Sequence, residues 1–431
     1  MIEMNEQAKL NLRLTFLLSL GYFSNFMART LYNAQVPITL FEYLGSYGYV
    51  GFWMAIFSIT SIVIIPIMGS VSDNTRTKYG RRMPFLIVGI PVSAIFFVLI
   101  STINPSTDPL WLLLLYMFFF NVAMACFRAQ AIALMPDFTK PVHRSKGSAI
   151  FYFMAGFGSI VAYILNYILI PINLTLAFLT IAVLMLFCLI IMMYTVKEKD
   201  SYSYRQILEM EKNGEKIKRK EGPFQSLIDS FREIATNKDR SVIILLLGII
   251  LCYCGWSALN ALSSVYFADV LGMERGMAGT MLIFISISYI IMTIPSGILA
   301  TKIGRRLTIK IGLIITAFGI ILGYLFQTPT MIIIGFIIAG IGFSFVTIHN
   351  IVILWELVPS QKRTGTYSGI YFLAVFIGSI FGPIIVGFIT DFLGNVTFFL
   401  IISIFFLADL VCMFFVKRGE AGDAEVPAEI N

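Results

Sequence analysis

Two arginines and several asparagines lie within long apolar segments of the sequence, where they are the residues best suited to bind a ligand. Asn25, Arg29 and Asn33 follow one another at intervals of four residues, which places them on one face of a helix. Asn121 and Arg128 are seven residues apart and again share a face. Guanidinium and amide groups donate directed hydrogen bonds, so both stripes could hold a ligand rich in hydroxyl or carboxylate oxygens.

The second half of the sequence carries similar residues in two further apolar segments. They are Tyr253, Trp256, Asn260 and Ser264 in one segment, and Thr347, His349, Asn350 and Trp355 in the other. An indole ring can stack on the C–H edges of a sugar, and an imidazole can carry a proton near neutral pH. For any single asparagine, tryptophan or histidine, packing between helices is the alternative.

Charged residues inside apolar segments are the more specific signal. An arginine near the centre of a bilayer costs at least a few kcal/mol, so Arg29 and Arg128 are candidates for a functional site. A buried ion pair is the alternative for each. Two acids, Glu356 and Asp409, are candidates for carrying a proton. Glu356 is expected to pair with a base, for which the candidates are Arg305, Arg306 and Arg363.

The composition is that of a membrane protein. Charged residues make up 13% of the 431 residues, against about 25% in a soluble domain, and the mean hydropathy is +0.87. Twelve segments reach the roughly 20 residues needed to cross a ~30 Å hydrocarbon layer. Because they are continuous apolar runs, the fold is predicted to be all-α. The segments, called spans 1 to 12, cover about 13–41, 48–71, 83–102, 109–135, 146–170, 173–195, 241–268, 276–300, 307–326, 330–357, 365–391 and 395–416.

The positions of the basic residues predict the orientation. All but three of the 31 lysines and arginines lie on one side of the twelve spans; Arg275 lies on the other side, and Arg29 and Arg128 lie within the spans. This asymmetry predicts a multi-pass protein of the cell membrane with both termini in the cytoplasm. The net charge of +7 therefore reflects topology, and no nucleic acid partner is expected.

One long polar segment divides the chain. We expect an N-terminal six-helix bundle over 1–195, a cytoplasmic linker over 196–240, a C-terminal six-helix bundle over 241–418 and a disordered cytoplasmic tail over 419–431. Apolar residues in the linker recur at helical spacing and predict an amphipathic helix at the membrane surface, namely Phe224, Leu227, Ile228, Phe231 and Ile234.

The two halves of the sequence are copies of each other at an offset near 220 residues. Leu134-Met135-Pro136 returns as Leu357-Val358-Pro359, and Gly80-Arg81-Arg82 returns as Gly304-Arg305-Arg306. Two six-span repeats are an arrangement typical of transporters, in which a site between the halves opens alternately to each side.

The loop between spans 2 and 3 concentrates charge in an otherwise apolar region. Gly69 is expected to let the end of span 2 approach a neighbour, and Asp73 follows four residues later. Arg81 and Arg82 begin span 3. We expect these residues, together with Arg305 and Arg306, to form a cytoplasmic gate. Their alternative role is that of topology determinants alone.

This loop resembles the signature of the major facilitator superfamily, in which Gly-x-x-x-Asp precedes Gly-Arg-Arg between spans 2 and 3. Ser72-Asp73 with the following Gly80-Arg81-Arg82 and Pro84-Phe85 resembles, more narrowly, the sucrose/proton symporters and the glycoside–pentoside–hexuronide:cation symporters. The resemblance implies twelve helices in two six-helix bundles, with spans 1, 4, 7 and 10 lining the substrate cavity. It also implies that Asp73 meets the N-terminus of span 11 when the cytoplasmic side is closed.

Other positions agree with this resemblance or depart from it. Cys126-Phe127-Arg128-Ala129 in span 4 is similar to a Cys-Arg-Ala stretch of plant sucrose carriers, with one residue inserted, and Asn121 matches a family asparagine. Ser61 and Ile65 stand where melibiose-type carriers have two aspartates, so a sodium site of that kind is absent. Met117 replaces an acid of the sucrose carriers.

The residues and the resemblance together predict a secondary carrier for a sugar or glycoside, coupled to protons by symport. A carrier or exporter of an organic anion such as a hexuronate is the alternative, and a membrane enzyme or a non-transporting sensor is a further one. The two histidines and the acids show no catalytic or metal-ligand spacing. We expect a monomer in the lipid bilayer that takes a small-molecule substrate with a proton and needs no cofactor and no metal.

Overall fold

The computed structural model describes residues 11–139, 144–201, 240–357 and 364–420, whose regular elements are all helices. Twelve long helices, numbered here in chain order, follow the twelve predicted spans. They are α1 Leu20–Leu44, α2 Tyr47–Asn74, α3 Met83–Ser101, α4 Leu110–Phe138, α5 Arg144–Leu169, α6 Leu174–Thr195, α7 Ser241–Asp269, α8 Ile283–Ile303, α9 Arg305–Phe326, α10 Pro329–Glu356, α11 Thr364–Leu393 and α12 Phe398–Phe415.

Among the described residues, eleven helical stretches are long and apolar enough to cross a membrane, and they correspond to α2 through α12. α1 is the exception because Asn25, Arg29 and Asn33 lower its hydropathy. Its 25 residues nevertheless extend about 37 Å, which exceeds the ~30 Å hydrocarbon layer. The predicted all-α membrane fold is confirmed.

Two predicted spans are interrupted. A short helix, Leu12–Leu18, precedes α1 instead of continuing into it. The Ser19 hydroxyl donates to the Phe16 carbonyl over 2.7 Å, a bond that competes with helix continuation. In span 8 a short helix, Arg275–Thr280, precedes α8, and its two glycines have a low helix propensity.

The described residues divide into two compact units. One lies within Met1–Val36 and Ile59–Lys218, and the other lies within Pro37–Ser58 and Arg219–Asn431. The last turns of α1 and the first turns of α2 therefore belong to the second unit, although the sequence analysis assigned them to the N-terminal bundle.

The same helix pairing recurs in both units and reflects the sequence repeat. In the first unit α3 packs against α4 and α6, and in the second α9 packs against α10 and α12. Phe97 of α3 contacts Phe120 of α4 and Phe178 of α6, with ring centroids 5.3 and 4.5 Å apart. Phe399 of α12 packs in a similar way on Phe336 of α10. In the first unit this aromatic layer holds α3, and in the second unit the Phe399 ring lies against Gly323 of α9. The charged motif lies at the N-terminus of each of these two helices.

Two predictions concern the linker between the two halves of the chain and the C-terminal tail. The predicted amphipathic helix at 224–234 lies outside the described residues. The tail was expected to begin at Gly419, but Glu420 is bound to the start of α9, as described below. That contact was not predicted, because a polar sequence near a chain end gives no sign of a distant binding partner.

The orientation can be tested at two exposed loop residues, Lys78 and Ser106. We expect a cysteine at Ser106 to react with a membrane-impermeant maleimide on intact cells, and a cysteine at Lys78 to react only after permeabilisation, because basic loops stay in the cytoplasm. The wild-type chain with its five native cysteines serves as the background control. Labelling of Lys78→Cys on intact cells would reverse the predicted orientation.

Candidate functional site

The charged loop of the first unit is a compact turn between α2 and α3. Thr77 and Gly80 exchange two backbone hydrogen bonds of 3.2 Å. Gly80 has a φ of +112°, a conformation that side chains other than glycine rarely adopt. The turn places Arg81 and Arg82 beside the C-terminal end of α2, where both are buried.

Arg81 and Arg82 share two acids. Arg81 Nη2 donates to Asp137 Oδ1 at 2.5 Å, and Arg82 Nε donates to Asp137 Oδ2 at 3.1 Å. Arg82 Nη2 also binds Asp73 Oδ1 at 2.6 Å. Both arginines and Asp137 are buried, whereas the Asp73 side chain is 57% exposed. Removing one partner of such a buried group costs about 3–5 kcal/mol, so the pairs fix the loop in place.

A third acid, Glu198, caps the start of α3 from beyond the end of α6. Its carboxylate accepts from the backbone N–H groups of Arg82 and Met83, each at 2.9 Å. Burial raises the pKa of the Glu198 carboxyl, and the backbone hydrogen bonds counteract only part of this effect. A Cβ at Gly80 would overlap the Glu198 carboxylate, so the loop needs glycine there for space as well as for φ.

The second unit contains an equivalent cluster. Arg305 Nη1 binds Glu356 Oε1 at 2.7 Å. Glu420 accepts from the backbone N–H groups of Arg305 at 2.8 Å and Arg306 at 3.0 Å, and from Arg306 Nε at 3.1 Å. Gly304 has a φ of +89°. Burial alone would raise the pKa of the Glu420 carboxyl, but the N–H donors and the Arg306 guanidinium together lower it.

Three of these acids were not predicted from the sequence, namely Asp137, Glu198 and Glu420. The repeat offset could have found them, because Asp137 corresponds to Glu356 and Glu198 to Glu420 at separations near 220 residues. In each half one acid ends the fourth helix and another follows the sixth. We name these groups the first charged cluster (Asp73, Arg81, Arg82, Asp137 and Glu198) and the second charged cluster (Arg305, Arg306, Glu356 and Glu420).

Gly69 differs from its expected role. A Cβ at this position would meet no atom within 4 Å, so the close helix approach predicted there does not occur in this conformation. The end of α2 is held by Asp73 and by Ser72, whose hydroxyl accepts from the Arg82 guanidinium.

The polar stripes of α1 and α4 meet within the first unit. Arg29, Asn33 and Arg128 are partly accessible, whereas Asn25 and Asn121 are fully buried. Arg29 and Arg128 lie close enough to repel each other. The predicted site residues of α1 and α4 thus divide into three partly accessible side chains and a pair of buried asparagines.

The contacts of Asn121 and of Tyr22 show how these polar side chains are held. Asn121 Nδ2 donates to the Met117 carbonyl at 2.8 Å and to the Tyr32 hydroxyl at 3.2 Å. Tyr22 of α1 is hydrogen-bonded to Arg128 of α4. Asn121 therefore ties α4 to α1, and Tyr22 helps to orient a guanidinium.

The α7 stripe in the second unit presents an aromatic surface. Trp256 and Asn260 are partly accessible on one face of α7. The Trp256 indole stacks on the Phe343 ring of α10, with centroids 3.6 Å apart and planes 11° from parallel. Asn260 Nδ2 donates to the Trp256 carbonyl at 2.8 Å. Phe343 thus fixes the orientation of the indole.

His349 and Asn350 of α10 are buried. His349 Nε2 lies 3.0 Å from the Ser296 hydroxyl, which donates to the Ser344 carbonyl over 3.2 Å. The hydroxyl can donate to the Ser344 carbonyl while it accepts from His349 Nε2. His349 therefore ties α10 to α8.

Asp409 of α12 is also buried, at 1% exposure. It is hydrogen-bonded to Cys252 of α7, and its carboxylate occupies the space that a side chain at Gly248 would fill.

Among the described residues no group of three or more His, Cys, Asp or Glu side chains could hold a metal ion.

Comparison with known families decides the class of this protein. The model of a family described as MFS/sugar transport protein matches residues 43–420, which is most of the chain. The chain belongs to this family. As an MFS sugar transport protein it is a multi-pass membrane transporter and not an enzyme, and the resemblance to the major facilitator superfamily is confirmed.

Individual relatives of this MFS protein match over short stretches. Solute carrier family 45 member 3 of Mus musculus is 32% identical over 121 residues, which are 25% of this chain and 21% of the relative. Lactose permease of Lactobacillus helveticus is 39% identical over 49 residues, which are 11% of this chain and 8% of the relative. The matched region spans about a fifth or less of these relatives.

Solved structures match over almost the whole chain and show the fold. A bacterial homologue of the human lysosomal transporter Spinster, in an inward-facing and occupied conformation, has a TM-score of 0.72 at 15% identity and covers 96% of this chain and 98% of its own. The nucleoside transporter NupG has a TM-score of 0.69 at 13% identity, covering 95% and 100%.

The need for a glycine at position 80, in the loop of the first charged cluster, can be tested by substitution. We expect Gly80→Ala to destabilise the protein by about 1–3 kcal/mol, because it adds strain at positive φ and a clash with Glu198. The midpoint of thermal unfolding in detergent should fall. The matched control is Gly69→Ala, where a Cβ meets open space. Equal midpoints for the two variants would contradict the role of Gly80.

Proposed function

We propose that this MFS protein is a secondary active transporter that moves a sugar or glycoside by alternating access, as a proton symporter. It acts as a monomer in the cell membrane with both termini in the cytoplasm. The observation that carries the proposal is the proximity of Arg29 on α1 to Arg128 on α4, both of which are partly accessible. The similarity to lactose permease supports a glycoside as the substrate.

The arginine pair supports a site for an oxygen-rich ligand. A guanidinium offers donors in a planar fork that matches vicinal hydroxyls or a carboxylate. Placing two of them in membrane helices costs several kcal/mol, a cost that a binding role explains. Asn33 adds an amide one turn from Arg29 on the same face of α1.

In this proposal Trp256 and Asn260 of the second unit bind a different part of the same sugar. A tryptophan held by Phe343 can offer its remaining surface to the C–H face of a pyranose ring. Asn260 lies one turn further along α7 and can bind a hydroxyl. In this proposal Asn25, Asn121, His349 and Asn350 position the helices, and Arg29, Asn33, Arg128, Trp256 and Asn260 contact the sugar.

The two charged clusters serve as a cytoplasmic gate in this proposal. Arg81 and Arg82 bind one oxygen of Asp73, whose side chain is more than half exposed, so the carboxylate can accept a further partner. We assign that partner to the N-terminus of α11 in one conformation of the cycle, where the helix dipole is worth about 0.3–1 kcal/mol to an anion. A contact made in one state only is what a switch requires.

An organic anion such as a hexuronate is the second candidate substrate. The proximity of two guanidiniums favours it, because an anion would reduce their mutual repulsion. Parallel uptake of a labelled neutral glycoside and of a labelled uronate separates the two. Uptake of the uronate alone would favour the anion, and uptake of the neutral glycoside alone would favour the sugar.

Arg128 provides the most direct test of the binding site. We expect Arg128→Lys to abolish uptake of a labelled glycoside into cells while surface expression stays normal, because an ammonium keeps the charge but loses the planar fork. Arg13→Lys, at an exposed position, is the control and should transport normally. Normal uptake by Arg128→Lys would remove this residue from the site.

Asp409 is the acid that we propose for proton coupling, since Glu356 is engaged by Arg305. Asp409→Asn should lose accumulation driven by an imposed pH gradient in proteoliposomes but retain sugar exchange at equilibrium, because the asparagine cannot release a proton. Glu274→Gln, at an exposed acid, is the control. Accumulation that persists in Asp409→Asn would assign Asp409 a structural role and return the coupling to Glu356.

A further inference from the structure

The start of α2, at the end opposite the charged loops, is capped by a carboxylate from α11. Asp391 Oδ1 accepts from the Tyr47 N–H at 2.8 Å, and Oδ2 accepts from the Gly48 N–H at 2.9 Å and from the Ser46 hydroxyl at 2.6 Å. The first N–H groups of a helix have no partner within it, and its N-terminus favours an anion. A residue more than 340 positions away in sequence therefore completes α2.

Around this cap the two helices touch through their backbones. A Cβ at Gly51 would overlap the Pro383 carbonyl, and a Cβ at Gly387 would overlap the Tyr47 carbonyl. Glycines at both positions let the first turns of α2 lie directly on the last turns of α11. The cap thus belongs to a close, extended contact.

Two further groups hold the end of α1 and the loop after it. Arg275 donates to the Thr39 hydroxyl at 2.6 Å and pairs with Glu42 at 3.1 Å. The Tyr47 hydroxyl donates to Asp269 of α7 at 3.0 Å. These bonds and the cap explain why Pro37–Ser58 form part of the second unit.

The chain can bend where this segment begins. The boundary between the units falls between Val36 and Pro37, inside α1. Pro37 has no N–H to donate to the Asn33 carbonyl, so the hydrogen-bond ladder of α1 is interrupted at the boundary. A proline inside a helix is a common site of a kink.

We propose that Asp391 is a positioning residue that latches this end of the transporter, and that Ser46, Tyr47 and Gly48 must leave its carboxylate each time that end opens. Its role rests on the alternating access proposed above. The latch mirrors the contact proposed for Asp73. Asp73, at the end of α2, is proposed to meet the start of α11, whereas Asp391, near the end of α11, binds the start of α2.

A graded series of variants tests the latch. An asparagine side chain in place of the carboxylate would offer one acceptor oxygen and no charge, and an alanine would offer none, so opening should increase from wild type through Asp391→Asn to Asp391→Ala. Spin labels at Phe52 of α2 and Leu393 of α11, both exposed, measure the separation of the two helix ends. We expect one short distance in the wild type and a growing population at longer distance in the variants.

Accessibility gives a second measurement on the same variants. A cysteine at Asn33, one turn before Pro37, should react with an impermeant maleimide added outside about tenfold faster in Asp391→Ala, because the hydrogen bonds of a charged acceptor are lost. Glu274→Gln, an acid at the same end that precedes a helix without capping it, is the matched control and should not change either measurement.

The results of these experiments distinguish a failure of the proposed latch from a failure of the proposed transport function. Distances and labelling rates that stay the same in all Asp391 variants would overturn the latch. If Asp391→Ala fails to insert, Ser46→Ala removes one of the three bonds to the carboxylate, together with the bond from the Tyr49 N–H, and should give a smaller shift in the same direction. No shift would again overturn the latch. A shift in a protein whose wild type moves no sugar would leave the latch standing and refute the proposed function.

Discussion

A helix that begins at a membrane surface exposes backbone N–H groups that its own residues cannot satisfy, and in this protein distant carboxylates satisfy them. Glu198 caps α3, Glu420 caps α9 and Asp391 caps α2. Each acid comes from the end of another helix or from just beyond it. The register of the helices, and the positions of the arginines that begin α3 and α9, depend on these three contacts.

The three caps differ in what else holds them. Glu198 and Glu420 sit in clusters where arginines of the Gly-Arg-Arg motifs also bind acids from the fourth helix of the same repeat, so each cluster is supported from several directions. Asp391 binds a short segment, Pro37–Ser58, whose connection through α1 is weakened by a proline. The caps by Glu198 and Glu420 therefore suit a permanent frame that supports the proposed gating contact of Asp73. The cap by Asp391 suits a contact that opens.

Much of the fold could be predicted because it depends on local sequence. Apolar runs of about twenty residues give the spans, and the repeated Gly-Arg-Arg gives the duplication. The repeat also relates Glu198 to Glu420, but a cap from another helix leaves no spacing pattern that shows what Glu198, Glu420 or Asp391 binds. Similarly, helical periodicity predicted that Asn25 shares a face with Arg29 and that Asn121 shares one with Arg128, but tertiary packing decides which of these residues is buried between helices and which stays accessible.

Hydrogen–deuterium exchange at the three helix starts tests most directly whether distant carboxylates build this transporter and one of them gates it. In proteoliposomes with saturating sugar on both sides, peptides that contain Arg82–Met83 and Arg305–Arg306 should stay protected, and the peptide that contains Tyr47–Gly48 should exchange faster during transport than without sugar. Equal protection of all three helix starts under both conditions would contradict the account.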